Sequence, residues 1–390
     1  MLRSHPWLLV TLLIPTLFAC RLLDGTAGQP TSPSSPPSPE NPPTQTLASP
    51  AIDLSTPAAL PPPAAFDPAN PDHLRRAAQY SADNKGISFL VMQNGQILAE
   101  DYPIPGAADY AAGLASGTKS FSCAIAVAAI QDGLLTSFDE KVADTVTEWQ
   151  SDPQKSQITL RQLLSLTSGL EPGEYASEPT YAEAIQFPLV DPPGEKFNYG
   201  PIPFQAFGEI IVRKLAPTGQ DPLDYLKARV FAPIGLKNER WRHTWDRNPI
   251  LPSGAFLTAR DWAKYGELVR LRGEWQGEKI LSGKLLDECF QGTSANPAYG
   301  LTWWLKRDVP SDLHTTIPQL NIGTDLLNQP NNLPDDLVMA AGAGMQRLYI
   351  IPSLNLVVVR QATGTSETLQ GNPSAFSDLT FLNLLLTGQP

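Results

Sequence analysis

The chain has 390 residues, of which 42% are hydrophobic and 17% are charged, a composition that allows a large buried core in one or two domains. Acidic residues outnumber basic ones by 39 to 28, the formal charge is −11, and Lys and Arg form no runs, so no nucleic-acid partner is expected. No nucleotide or flavin motif is found, and no cofactor is expected. No metal site is predicted either, because the four histidines are scattered: His5, His73, His243 and His314.

The first twenty residues have the pattern of an export signal. Arg3 lies in a short polar start, and the apolar stretch over residues 7–19 is too short to span a bilayer. The stretch ends in Leu17-Phe18-Ala19-Cys20, which resembles the lipobox of bacterial lipoproteins, and this resemblance implies cleavage after residue 19 and a lipid on Cys20. A plain cleaved signal is the alternative. We predict an extracytoplasmic lipoprotein anchored to a membrane, or otherwise a secreted or periplasmic protein.

A tether is predicted to follow the signal. Residues 20–70 are rich in Pro, Ser, Thr and Ala and contain few large apolar residues. Such a segment stays extended and does not pack into a core. It would hold a folded domain, residues 71–390, away from a membrane surface.

The folded domain is predicted to begin with a helix over residues 73–84. Apolar and polar residues alternate over residues 87–99 around Asn94-Gly95, a two-residue turn signal that predicts an antiparallel hairpin. Residues 118–130 are almost wholly apolar and small, so this helix should be buried on nearly every side and end at Gly133. Helical patterns dominate the middle of the chain, at residues 160–166, 181–186, 203–215, 222–232 and 259–271.

The end of the chain differs from its middle. Residues 348–351 and 354–360 are apolar, β-branched runs joined by Pro352-Ser353, which predict a second antiparallel pair, and residues 375–386 predict a closing helix. Strands at both ends of a helical middle predict an α+β fold. In this fold one antiparallel sheet is flanked by helices and carries a helical subdomain over roughly residues 135–330.

Two cysteines besides Cys20 fall within the folded domain. Cys123 and Cys289 could pair in an oxidising compartment. Cys123, however, lies within the apolar helix and is expected to be buried. On that ground we do not predict a disulfide.

Ser116 and Lys119 are the most informative pair in the chain. Three residues apart on a helix, a hydroxyl and an amine lie on the same face. A serine hydroxyl is a poor nucleophile unless a base is within hydrogen-bonding reach, and a lysine can be that base if burial lowers its pKa. The spacing indicates a serine hydrolase that needs no histidine. The alternative is a helix start, with Ser116 as the N-cap and Lys119 as a solvated first-turn lysine.

Four motifs occur in the order of a known family. They are Ser116-x-x-Lys119, Leu-Leu-Ser-Leu-Thr-Ser-Gly-Leu at residues 163–170, Pro-Gly-Glu-Lys-Phe-Asn-Tyr at residues 193–199, and Gly342-x-Gly344-x-Gln346. Together they resemble the β-lactamase-related serine hydrolases, a group that includes class C β-lactamases, D-alanyl-D-alanine carboxypeptidases and related esterases. The resemblance extends over about residues 75–388, which is the whole predicted domain.

The resemblance implies a role for each matching residue. Ser116 is then the acyl-accepting nucleophile, Lys119 its base, and Tyr199 a second base whose pKa a nearby ammonium lowers. The backbone N–H groups of Ser116 and Ala343 would stabilise the oxyanion. The small residues Gly342 and Gly344 would allow a substrate to approach the backbone there.

Two departures from the family bear on the substrate. The tyrosine is followed by Gly200-Pro201 instead of x-Asn, and Ala340-Ala341-Gly342 stands where the third motif normally carries Lys or His. The missing amide and cation would each weaken recognition of penicillins or D-Ala-D-Ala ends by roughly 1–3 kcal/mol. The resemblance, with these departures, implies an esterase or small-amide hydrolase acting on a small ester, amide or peptide.

Other interpretations stay open. The chain could be a β-lactamase or D-Ala-D-Ala carboxypeptidase, or a catalytically silent binding domain of the cell envelope. An α/β-hydrolase is disfavoured, because no Gly-x-Ser-x-Gly elbow occurs. Trp303 and Trp304 are predicted to wall a hydrophobic substrate pocket, with burial in the core as the alternative.

Overall fold

The computed structural model describes residues 66–390, except residues 238–239, 308–325, 327–330 and 373. The export signal, Cys20 and nearly all of the predicted tether therefore lie outside the described residues. None of the helices in the described part of the chain has the length and apolar character needed to cross a bilayer.

Polar side chains cap the starts of several helices. Asn70 accepts a hydrogen bond from the Asp72 N–H, and Thr258 and Ser377 cap two later helices in the same manner. The described α-helices are α1 Pro71–Asp83, α2 Ser120–Gln131, α3 Leu160–Leu164, α4 Tyr181–Ala184, α5 Ile202–Leu215, α6 Pro222–Leu226, α7 Ala259–Arg270, α8 Gly283–Cys289, α9 Thr365–Leu369 and α10 Asp378–Thr387.

The predicted hairpin is formed by β1 Gly86–Gln93 and β2 Gln96–Asp101. Asn94 and Gly95 have φ values of 50° and 75°, the left-handed conformation that a tight two-residue turn requires. The other described strands are β3 Ala112–Gly113, β4 Arg240–Trp241, β5 Ala255–Leu257, β6 Glu274–Trp275, β7 Glu278–Lys279, β8 Trp304–Leu305, β9 Val338–Gly342, β10 Gln346–Ile351 and β11 Leu356–Ala362.

Six of these strands form one antiparallel sheet in the order β2-β1-β11-β10-β9-β8. Successive residues of β10 point to opposite faces, as the pleat requires. Leu348 packs on α7 at Gly266, and the ring of Tyr349 stacks on Phe381 of α10. The sheet therefore lies between α7 on one face and the terminal helices on the other, which confirms the predicted α+β class.

Boundaries and two strands differ from the prediction. The helix predicted over residues 222–232 ends at Leu226 and continues as a π-helical turn, Lys227–Phe231. Strands β8 and β9 were not predicted as a pair, because β8 has two residues and β9 contains Ala340-Ala341-Gly342, which have low strand propensity. Their place in the sheet comes from pairing with each other and with β10.

The two cysteines of the domain form a disulfide, a pairing that the sequence analysis left open and did not predict. Cys123 of α2 and Cys289 at the end of α8 have Cα atoms 6.5 Å apart, and both residues are fully buried. Burial of Cys123 does not exclude pairing, because α8 brings its partner into the same core. Since the bridge spans 166 residues of chain, it stabilises the fold by about 5 kcal/mol in the chain-entropy description.

Candidate active site

Ser116 lies on a short 3-10 turn, Ala115–Lys119, that leads directly into α2. The residue before it, Ala115, has a φ of 46°, a left-handed conformation that costs an alanine energy and turns the chain sharply at this point. The Gly117 N–H donates to the Leu114 carbonyl at 2.9 Å, which closes the turn. Ser116 is thus held half-exposed at the N-terminal end of a buried helix.

Helix α7 and strand β5 both contact this turn and the start of α2. The indole of Trp262 lies so close to Gly117 that a Cβ there would be 2.9 Å from it. The Tyr265 hydroxyl donates to the Ser120 carbonyl at 2.7 Å, and the Ala255 N–H of β5 donates to the Thr118 hydroxyl at 3.2 Å. The serine is therefore on a rigid support.

Lys119 reaches back to the serine. Its Nζ donates to the Ser116 Oγ at 3.0 Å and to the Pro252 carbonyl at 3.2 Å, and the residue is 4% exposed. Desolvation lowers the pKa of Lys119 to about 7, against the opposing effect of the Glu178 carboxylate. The helix-cap alternative required a solvated lysine, and the burial of Lys119 contradicts it.

Tyr199 lies beside the same pair. The Lys119 Nζ is 4.9 Å from the centre of its ring, and the tyrosine hydroxyl is buried without a hydrogen-bond partner among the described residues. Burial raises the pKa of Tyr199 above its ordinary value, and the nearby Ser116 hydroxyl only partly offsets this. The predicted lowering of its pKa is wrong, because the amine lies over the ring face and desolvation of the phenol dominates.

Gly342 and Gly344 place the Ala343 backbone next to the serine turn. A Cβ on Gly342 would lie 2.1 Å from the Leu114 carbonyl oxygen, so only glycine permits β9 to approach this closely. Gly344 has a φ of 75° and a Cβ there would lie 2.6 Å from the Thr365 nitrogen. Neither glycine lines the cavity described below, whereas Ala343 does.

Hydrogen bonds fix the orientation of the backbone at Gly342 and Ala343. Arg347 donates to the Gly342 carbonyl at 3.1 Å and pairs with Asp378 at 2.7 Å, and both residues of the pair are buried. The Thr365 hydroxyl donates to the Ala343 carbonyl at 3.2 Å. Both carbonyls therefore have donors of their own.

A cavity of about 430 Å³ opens above Ser116 and Lys119. One part of its wall is apolar, with Ile87, Phe256 and Pro201, and the mouth carries the exposed aromatic rings of Tyr110 and Tyr175. Pro201, two residues after Tyr199, thus lies in the cavity wall. The loop that contains Tyr175, Ala176 and Glu178 also contributes to the wall.

Trp303 and Trp304 do not line this cavity, so their predicted role as a pocket wall is wrong. Both are buried, at 0% and 4% exposure. Trp303 stacks on Tyr265, and the ring centre of Trp304 lies 5.8 Å from that of Tyr199. They belong to the aromatic core that holds the tyrosine in place.

A polar group in the cavity wall was missed by the sequence analysis. Glu178, Arg242 and Ser253 all line the cavity. Ser253 donates a short hydrogen bond to Glu178, and Arg242 donates to the Ser253 hydroxyl at 2.7 Å and lies 3.4 Å from the Glu178 carboxylate. These residues come from separate parts of the chain outside the strands and helices, so no motif in the sequence could have identified them.

The fold is an antiparallel sheet flanked by helices, with Ser116 and Lys119 at a cavity and Tyr199 packed beside the lysine, and this is the arrangement of a beta-lactamase-fold protein. The comparison with family models agrees: the model described as Beta-lactamase matches residues 74–374, and the chain belongs to this family. A comparison with curated protein sequences gives no match.

Solved structures with the same fold have several functions. A penicillin-binding protein homologue from Caulobacter crescentus has 14% identity and a TM-score of 0.57, with 77% of this chain and 96% of that chain covered. A family VIII carboxylesterase has 15% identity and a TM-score of 0.55, with 77% and 96% covered. EstCE1, described as a hydrolase with promiscuous acyltransferase activity, has 15% identity and a TM-score of 0.55, with 77% and 97% covered. At such identities the likeness shows the fold alone.

Proposed function

We propose that this protein is a serine hydrolase that forms an acyl-enzyme on Ser116 and acts as an esterase or small-amide hydrolase. One observation carries the proposal: a buried Lys119 amine, with its pKa lowered to about 7, lies 3.0 Å from the Ser116 hydroxyl in an open cavity. A structural lysine has no need of such a contact, whereas a nucleophilic serine does.

Acylation follows from this arrangement. The neutral Lys119 amine takes the proton of Ser116 while the Oγ attacks the substrate carbonyl and forms the new C–O bond. The negative charge that develops on the carbonyl oxygen is stabilised by the backbone N–H groups of Ser116 and Ala343, which the close packing of Gly342 brings onto neighbouring turns.

Tyr199 completes the proton path as a neutral acid. Because burial raises its pKa, the phenol keeps its proton at neutral pH and can donate it to the departing alcohol or amine. The Lys119 ammonium, over the same ring, then returns a proton to the phenolate. Water attacks the acyl-enzyme by the reverse route, which releases the acid and restores Ser116.

The cavity wall favours simple esters and amides over lactams. Pro201 and the buried Ala340-Ala341 pair provide neither the amide nor the cation with which related enzymes hold lactams and peptide carboxylates. The apolar wall at Ile87 and Phe256 suits a hydrophobic acyl or alcohol group.

The substrate class is tested by comparing kcat/KM for p-nitrophenyl butyrate with kcat/KM for a chromogenic cephalosporin and for a D-Ala-D-Ala peptide. We expect the ester to be preferred by about 100-fold or more, since two substrate contacts of the lactam type are missing. Equal or better hydrolysis of the lactam would make the protein a β-lactamase, and preferred release of D-Ala would make it a carboxypeptidase.

The role of Tyr199 is tested by Tyr199→Phe. Loss of the donated proton should lower kcat for ethyl butyrate, whose ethoxide leaving group must be protonated, by about 10²–10³-fold, with the fold intact because only an unpartnered hydroxyl is removed. Tyr299→Phe is the matched control: its hydroxyl is also buried and unpartnered among the described residues, and its ring centre lies 6.3 Å from that of Tyr199. If both variants kept the wild-type rate, the leaving-group acid would not be Tyr199.

We also propose that the protein is exported and anchored through a lipid on Cys20. The apolar stretch before Leu17-Phe18-Ala19-Cys20 supports this, and so does the buried disulfide between Cys123 and Cys289, since disulfides persist in oxidising compartments. Cys20→Ser should move the protein from the membrane fraction to the soluble fraction. Unchanged fractionation would contradict the lipid anchor.

A further inference from the structure

The proposed hydrolysis mechanism assigns no role to the Glu178 carboxylate. Its side chain is only 5% exposed, and it lines the cavity that holds Ser116. A carboxylate taken out of water at this cost normally has a cation or several strong donors.

Both partners of Glu178 bond the same carboxylate oxygen, Oε1. Ser253 donates one neutral hydrogen bond. Arg242 lies 3.4 Å away, at the long end of a charge-assisted bond, and its side chain is 42% exposed, so water screens its charge. The remaining acceptor capacity of the carboxylate is therefore available at the cavity wall.

The nearby amine does not supply the missing cation. Lys119 feels the Glu178 carboxylate, but its pKa near 7 leaves much of it neutral at the pH at which it acts as a base. Glu367 is the other acidic residue among those that line the cavity; its side chain is 53% exposed, with the Lys85 ammonium 3.7 Å away. Of these two glutamates, Glu178 is thus the one whose carboxylate is buried in the wall.

We propose that Glu178 binds a cationic ammonium group of the substrate, and that the protein prefers esters and amides that carry such a group close to the scissile bond. This inference rests on the proposed hydrolase function and adds the substrate class. Ser253 and Arg242 fix the direction of the carboxylate, and the apolar wall at Phe256 contacts the uncharged remainder of the substrate.

Matched ester pairs test the inference with the full mature protein. One pair carries the charge on the alcohol side: butyrylcholine and 3,3-dimethylbutyl butyrate, which differ by nitrogen for carbon. The other carries it on the acyl side: the p-nitrophenyl esters of 3-aminopropanoate and of butanoate. We expect kcat/KM for the cationic member of at least one pair to exceed that of its neutral partner by about tenfold or more.

The ratio of kcat/KM for the cationic ester to kcat/KM for its neutral partner also identifies the residue responsible. In Glu178→Gln the ratio should fall to about one, whatever the variant does to the rate common to both esters. Glu367→Gln is the control, because it removes a carboxylate from the same wall but an exposed one, and the ratio should stay within about twofold of wild type. The wild-type ratio should also persist in about 0.5 M NaCl, where attraction by the overall charge of −11 is screened.

Three results would overturn the inference: ratios near one for both pairs, a ratio that survives in Glu178→Gln, or a ratio abolished by salt. A higher kcat/KM for the anionic ester of butyrate with glycolate than for the neutral 3,3-dimethylbutyl butyrate would instead assign substrate recognition to Arg242. In all of these cases the neutral esters are still hydrolysed. No hydrolysis of any ester would contradict the proposed function itself, so the two failures are distinguishable.

Discussion

Ser116→Ala should abolish ester hydrolysis, with kcat reduced by about 10⁴-fold or more, because the acyl-enzyme cannot form without the Oγ nucleophile. The change removes one half-exposed oxygen atom whose hydrogen bond to Lys119 is local. The thermal unfolding midpoint should therefore stay close to that of wild type. Steady-state hydrolysis of p-nitrophenyl butyrate and thermal unfolding together check both parts.

Ser122→Ala is the matched control for this variant. Ser122 lies on α2, which directly follows the Ser116 turn, is buried, and has a hydroxyl without a hydrogen-bond partner among the described residues. Its removal costs no hydrogen bond, so kcat should stay within about twofold of wild type. Residual activity of Ser116→Ala near the wild-type level would exclude Ser116 as the nucleophile.

Lys119→Met should lower kcat/KM by about 10³–10⁴-fold, because Ser116 loses its base while the buried volume of the side chain is largely kept. Lys264→Met is the control, since that lysine is partly exposed and pairs with Asp261 and the Gly235 carbonyl on the outer side of α7. We expect it to keep the wild-type rate.

The role of Lys119 as the base also predicts the direction in which kcat/KM changes with pH. The amine acts as a base only when neutral, and its pKa is lowered to about 7, so kcat/KM should rise with pH through about 7 and level off above it. The rise should be absent from the residual activity of Lys119→Met. A wild-type rate that is already level well below pH 7, or a rise retained in Lys119→Met, would assign the base to another group.

Local sequence signals predicted most of the fold. Asn94-Gly95 specifies a turn that few other dipeptides form, and the β-branched run of β11 allows little besides a central strand. Strand β9 could not be read in the same way, because its Ala340-Ala341-Gly342 segment has weak local preferences. It is a strand because β10 pairs with it and because only small residues can pack against the Ser116 turn.

In the candidate site, too, the features set by local spacing were predicted and those set by tertiary packing were not. The spacing of Ser116 and Lys119 places them together on any helical turn, so the sequence predicted their contact. The pKa of Tyr199 and the place of Trp303 depend on which distant elements meet in the core, and the predicted lowering of the pKa and the predicted pocket role were wrong. The disulfide of Cys123, which the sequence left open, depends on the same packing. Glu178 was missed for the same reason: its place in the cavity wall is a result of tertiary packing.

The central claim is that Lys119 activates Ser116 as a nucleophile, and labelling with a fluorophosphonate tests it most directly. The full mature protein is treated with the probe, and intact-mass measurement and peptide mapping locate the adduct. We predict one adduct per chain, on Ser116, that is lost in Lys119→Met. A folded wild-type protein without an adduct on Ser116 would contradict the account and favour a catalytically silent binding domain.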